Sequence, residues 1–129
     1  TDGGARGNPG PAGIGLVIKD ESGELVYSHG AYIGETTNNV AEYSALIKAL
    51  EESVNLGGTS LRIQMDSELI VKQMQGVYKI KEPTLQELAA KVIALLKKFD
   101  HYTFVHVRRE FNKEADAMVN QALDAQALN

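Results

Sequence analysis

Residues 36–50 read TTNNVAEYSALIKAL. Thr and Asn are residues that cap helix N-termini, and here an apolar run at helical spacing follows them. Val40, Tyr43, Ile47, Leu50 and Val54 fall on one stripe. Glu42 falls instead beside Ala45, Leu46 and Ala49, on a flank that also reads as packed rather than wet. Why a carboxylate stands there is a question the rest of the chain answers.

Working outward, GIGLVIKD (13–20) and ELVYSHGAYIG (24–34) are rich in β-formers and flank ESG, a hairpin turn. The helix runs from about Asn39 to Leu56 and stops at Gly57-Gly58. SLRIQM (60–65) alternates apolar and polar residues, as a strand does, and residues 67–75 form a short helix ending at Gly76. Pro83 opens another helix, in which Leu85, Leu88, Val92, Leu95 and Leu96 recur at helical spacing. YTFVHV (102–107) is a compact strand, and Asn112 caps a last helix whose apolar side carries Ala115, Val119, Ala122 and Leu123. His106 alternates with Phe104 and reads as a buried structural residue; no histidine forms a triad with a serine.

No repeat, low-complexity tract or linker interrupts this order, so residues 1–129 read as one domain. Hairpin strands followed by alternating helices and strands imply a mixed α/β sheet covered by helices, with ligands at the carboxyl ends of its parallel strands. The chain has no cysteine, which excludes disulfides and thiolate metal sites. No apolar run approaches the roughly 20 residues that cross a membrane, and these residues carry no signal-peptide pattern. A cytoplasmic monomer is the expectation. Thirteen basic against seventeen acidic residues leave a charge of −4, which argues against a polyanionic partner unless acids cluster around cations.

Four acids stand at the ends of elements. Asp2 precedes the glycine-rich GGARGNPGPAG, where a strand should end and a turn begin, Glu42 lies in the first turn of the first long helix, Asp66 follows SLRIQM, and Asp116 lies in the first turn of the last helix. Each has an ordinary reading. Glu42 has capping-box spacing from Asn39, Asp66 suits a cap, Asp116 complements a helix dipole, and Asp2 suits a frayed terminus. Taken together they read differently. Clustered carboxylates raise one another's pKa in a partly dry pocket, and hard oxygen-binding cations remove that penalty. Two Mg²⁺ ions about 4 Å apart suit in-line attack on a phosphodiester.

TDGGARGNPGPAG, TTNNVAEYSALIKAL, DSELIVKQMQG and NKEAD, in that order, resemble type 1 ribonuclease H over nearly the whole chain. The resemblance implies a ribonuclease H-like five-stranded sheet, three strands antiparallel and two parallel, flanked by helices. It implies an endonuclease that cuts the RNA strand of RNA/DNA hybrids with two Mg²⁺ ions, Mn²⁺ being a possible substitute. Asp2 would bridge both ions, Asp116 would help hold the water-activating one, and Glu42 and Asp66 would hold the one on the leaving-group side. Backbone groups of Gly3 and Gly4 and the amides of Asn8, Asn38 and Asn39 would read 2′-hydroxyls, and Thr37 would contact a DNA phosphate. Glu68 and Asn112 complete the implied substrate contacts. Arg6, Lys72, Lys79, Lys81, Arg108, Arg109 and Lys113 are candidates to track phosphates.

The chain departs from that family in four respects. Arg109 stands where many members have a loop histidine, and an arginine cannot shuttle protons near neutral pH. Glu68 stands where many have Gln, and it can accept from a hydroxyl but not donate. A short GVYKIKEPTLQ replaces a long basic handle. Asp2 has one residue ahead of it, so part of the first strand is expected to lie upstream of Thr1. The competing readings are a catalytically silent hybrid-binding module and a DNA-cutting nuclease of the same fold.

Overall fold

The computed structural model describes residues 1–128. Strands β1 (Asp2–Ala5), β2 (Gly10–Lys19) and β3 (Leu25–Thr36) form an antiparallel sheet in that order. Helix α1 (Asn38–Asn55) leads to β4 (Ser60–Met65), followed by α2 (Glu68–Met74) and α3 (Pro83–Leu96). Strand β5 (His101–His106) then returns to pair with β4 in parallel. A 3₁₀ turn at Arg109–Phe111 precedes α4 (Lys113–Ala127). The three antiparallel and two parallel strands are those expected. The two groups meet where the Thr1 nitrogen donates to the Gln64 carbonyl at 2.9 Å, which sets β1 against β4.

Two boundaries differ from the sequence reading, for one reason. The glycine-rich segment is strand on both sides, with Asp2 opening β1 and Gly10 opening β2. Its turn is confined to Arg6–Pro9, where Gly7 takes a φ of +98°. The glycines are there because helices lie on them. A Cβ on Gly3 would sit 2.3 Å from the carbonyl carbon of Ala41 in α1, and one on Gly15 would sit 2.1 Å from the Ala115 carbonyl oxygen in α4. The next glycine of β1, Gly4, points the other way, its nearest neighbour being Val119 of α4 at 3.9 Å. Since successive residues of a strand face opposite sides, α1 and α4 cover opposite faces.

The two faces are filled differently. Tyr43, Leu46 and Leu50 of α1 pack with Ile63 and Met65 of β4, Ile70 and Val71 of α2, and Leu85, Val92 and Leu96 of α3. Helix α1 is gripped by the sheet on one side and α3 on the other. Its buried set therefore includes Ala41, Glu42, Ala45, Leu46, Ala49 and Ser53, while Val40, Ile47 and Val54 are only half-buried. The flank carrying Glu42 is the deeper one. On the other face, α4 contributes Ala115, Val119 and Leu123 against backbone.

Thr37 caps α1, its Oγ1 accepting from the Val40 nitrogen at 3.3 Å. Asp20 closes the expected hairpin turn by accepting from Ser22 and Glu24 nitrogens at 2.9 and 3.0 Å. His106 is exposed, contrary to expectation: β5 ends there, and the core beneath the strand stops at Phe104. Among the described residues, no helix is long and apolar enough to cross a membrane.

Because helix and sheet touch through backbone at Gly15, the Gly15→Ala chain should lose about 1–3 kcal/mol of stability in urea unfolding. Gly4→Ala, with ordinary contact space, should lose less than about 1 kcal/mol or gain slightly.

Candidate metal centre

The seating of α1 on β1 brings two carboxylates together. Asp2 opens β1 and is buried, its Oδ1 accepting from the Gly3 nitrogen at 3.0 Å. Ala41 rests on Gly3, so the adjoining Glu42 arrives beside Asp2. Asp66 follows β4, which lies against the start of β1. One oxygen from each of Asp2, Glu42 and Asp66 lies within 4.8 Å of the others. Asp116 stands outside that trio but lines the same cavity of about 520 Å³, as do Gly3, Gly4, Asn38, Asn39 and Arg109. The Arg109 guanidinium lies 3.6 Å from Asp116 Oδ1.

The ordinary readings of two acids fail on contacts. Thr37, not Asn39, caps α1, and Glu42 Oε2 is buried without a hydrogen-bond partner among the described residues. Ser67, not Asp66, caps α2, accepting from the Ile70 nitrogen at 3.4 Å. Loss of hydration pushes the Asp2 carboxyl up to about 7, with the Asp66 charge adding to it. Loss of hydration pushes Glu42 up to about 9, with Asp2 and then Asp66 adding to it. The trio is thus a hard-oxygen donor set, carrying one orphaned oxygen and repelling itself. Those properties fit a divalent cation of the Mg²⁺ type, which takes carboxylates and keeps waters. Among soft ligands no cysteine exists in the chain.

Asn8, Thr37, Glu68 and Asn112 do not line that cavity. Asn8 Oδ1 accepts from the Asn38 nitrogen at 3.1 Å, and Asn38 Oδ1 accepts from the Ala5 nitrogen at 2.7 Å. These two amides tie the glycine-rich turn to the start of α1. Glu68 is exposed and pairs with Lys72 at 3.5 Å, and Lys72 also lies 5.5 Å from the centre of the Tyr78 ring. Asn112 has a different task from those expected. It is buried, makes no side-chain cap, and donates Nδ2 to the Thr1 carbonyl at 2.8 Å, clamping α4 to the sheet.

Arg6, Ser67 and Asn120 also line the cavity. Arg6 was one of several basic candidates, and it pairs with Asp124 of α4 at 2.6 Å. Asn120 was missed, although it stands one turn beyond Asp116, a spacing that puts side chains on one face.

Residues 1–122 match a family model described as reverse transcriptase-like. A Mycobacterium tuberculosis protein named as bifunctional is 47% identical over 129 residues, covering 98% of this chain and 35% of that protein. The ribonuclease HI of Halobacterium salinarum is 42% identical over 123 residues, covering 95% of this chain and 62% of that protein. The chain thus spans about a third of the length of the mycobacterial relatives it matches. The crystal structure of the Halobacterium salinarum enzyme superposes with a TM-score of 0.93, covering 96% of this chain and 94% of that one at 42% identity. LC11-RNase H1, crystallised in complex with an RNA/DNA hybrid, superposes with a TM-score of 0.93 at 56% identity, covering 99% of this chain and 96% of that one.

The raised carboxyls make metal-free stability depend on pH. Both groups hold protons more tightly folded than at their ordinary values of 3.8 and 4.5, so the stabilisation this gives is full in acid. It is lost as pH rises through about 7 for Asp2 and about 9 for Glu42. In EDTA the melting temperature should fall across that window, and Mg²⁺ should restore it. Glu42→Gln, which keeps the shape and removes the charge, should flatten the fall and blunt the response to Mg²⁺.

Proposed function

Because this chain belongs to the ribonuclease H1 family, we propose that it is an endonuclease hydrolysing the RNA strand of RNA/DNA hybrids, by an in-line displacement that leaves 5′-phosphate and 3′-hydroxyl ends. The observation that carries this reading is the buried, self-repelling trio Asp2, Glu42 and Asp66, with Glu42 Oε2 left without a partner among the described residues. A cluster of that kind at the end of the sheet serves a cation rather than the fold. The hybrid held by LC11-RNase H1, at 56% identity, supports the choice of substrate.

Asp2, Glu42, Asp66 and Asp116 would hold two Mg²⁺ ions, and Mn²⁺ suits the same oxygens. When bound, such a pair supplies an activated water and neutralises charge on the phosphate as the bond to the leaving oxygen breaks. The chain's own groups do the rest. Asn8 and Asn38 each spend a carbonyl oxygen on a backbone nitrogen, so their Nδ2 groups are the donors they offer a 2′-hydroxyl. Thr37 accepts from Val40 with its Oγ1 and keeps its hydroxyl proton for a DNA phosphate. Asn39 and the Gly3–Gly4 backbone line the cavity where the RNA would lie. Arg109 is exposed and always charged, so its part is to attract phosphate rather than to carry a proton.

The reading is tested with a labelled RNA/DNA hybrid beside matched RNA/RNA and DNA/DNA duplexes. The expected outcome is cleavage of only the hybrid's RNA strand in Mg²⁺, falling to background in EDTA and in Asp66→Asn. Salt-sensitive binding of the hybrid without any cleavage would overturn it. Glu68→Gln removes a negative charge and releases Lys72, so the Michaelis constant for the hybrid should fall while turnover holds.

A further inference from the structure

Asp116 stands outside the trio, although its carboxylate lies close enough to Asp2 to help raise the Asp2 pKa. Its backbone is anchored, the nitrogen donating to the Asn112 carbonyl at 3.1 Å, but its side chain stands half-buried at the cavity rim. Two side chains approach its two oxygens. Arg109 faces Oδ1 at 3.6 Å, and Asn120 donates Nδ2 to Oδ2 at 3.3 Å.

These donors are not equivalent. The Arg109 side chain is 80% exposed and fully charged, so an arriving phosphate competes for it. Asn120 is neutral and sits on the same helix four residues on, so neither salt nor a polyanion draws it away. An amide donor also fixes one oxygen without cancelling the charge of the carboxylate. The other oxygen, 3.6 Å from the exposed Arg109 guanidinium, becomes available once that ion pair breaks.

We propose that Asn120 is a positioning residue: it holds Asp116 by Oδ2 and keeps Oδ1 turned to the cavity for a divalent cation shared with the trio. For its activity readout this rests on the function proposed above; for its binding readout it does not. No other residue of α4 reaches Asp116 among the hydrogen bonds of the described side chains.

The experiment compares wild type with Asn120→Ala and Asn120→Gln, the latter retaining an amide donor. Mn²⁺ binding to the protein without nucleic acid is read by electron paramagnetic resonance, alongside the Mg²⁺ dependence of hybrid cleavage. Asn120→Ala should weaken Mn²⁺ binding about tenfold and raise the Mg²⁺ needed for half-maximal cleavage by a similar factor. Its melting temperature in EDTA should move by only about 1 °C, as for an exposed side chain. Asn120→Gln should recover most of the lost affinity. Unchanged Mn²⁺ affinity in Asn120→Ala, or a loss that Asn120→Gln does not recover, would overturn the proposal. A wild type whose Mn²⁺ affinity depends on Asn120 as expected but that cleaves no hybrid would sink the proposed function and leave this inference standing.

Discussion

Three carboxylates cannot share dry ground without something to offset their charge. Asp2, Glu42 and Asp66 are brought within 4.8 Å of one another, and two of the three are buried. Burial and mutual repulsion both favour the protonated acids, which is why Asp2 and Glu42 hold their protons far above the ordinary carboxylate range. The fold tolerates this arrangement at one end of the sheet and supplies stability elsewhere. Tyr43, Leu46 and Leu50, on the same helix as Glu42, anchor an apolar cluster that runs through β4, α2 and α3 to Phe104. A helix so firmly held can carry a disfavoured charge without yielding its position.

The placement of the acids follows from how the elements are seated. Glu42 follows the residue that rests on Gly3, and Asp116 follows the residue that rests on Gly15. Asp66 sits where β4 gives way to α2, beside the start of β1. The amides of Asn8 and Asn38 lash the turn to α1, and Asn112 lashes α4 to Thr1. The cavity is therefore bounded by parts fixed to one another, while its exposed arginines remain on ion pairs that a polyanion can break.

Much of this was legible beforehand, and each part that was not has its own physical reason. The order of elements, the strand directions and the four acids follow from periodicity, caps and motif order. Both packed sides of helix α1 were legible, its apolar stripe and the flank of Ala45, Leu46 and Ala49; which is deeper was not, because that depends on the sheet and α3 pressing on it from two sides. Strand content in GGA and GPAG was hidden because glycine reads as turn, and only a helix lying on the sheet explains it. Asn112 looked like a cap because it stands at a helix start, but its amide is spent on a residue 111 positions away. His106 looked buried because alternation does not reveal where the core ends beneath a strand. Asn120 alone had a usable local signal, its spacing from Asp116.

The glycine seats also bear on how such a protein can diverge. Where α1 meets Gly3 and α4 meets Gly15, the spacing is set by peptide atoms, and those are the same in every sequence. The apolar residues between α1 and α3 can be exchanged for others of like volume, and the resulting shifts fall on that side of the molecule. Lineages can rewrite most of their interior and still inherit the same distances among the acids, provided a few positions keep no side chain at all.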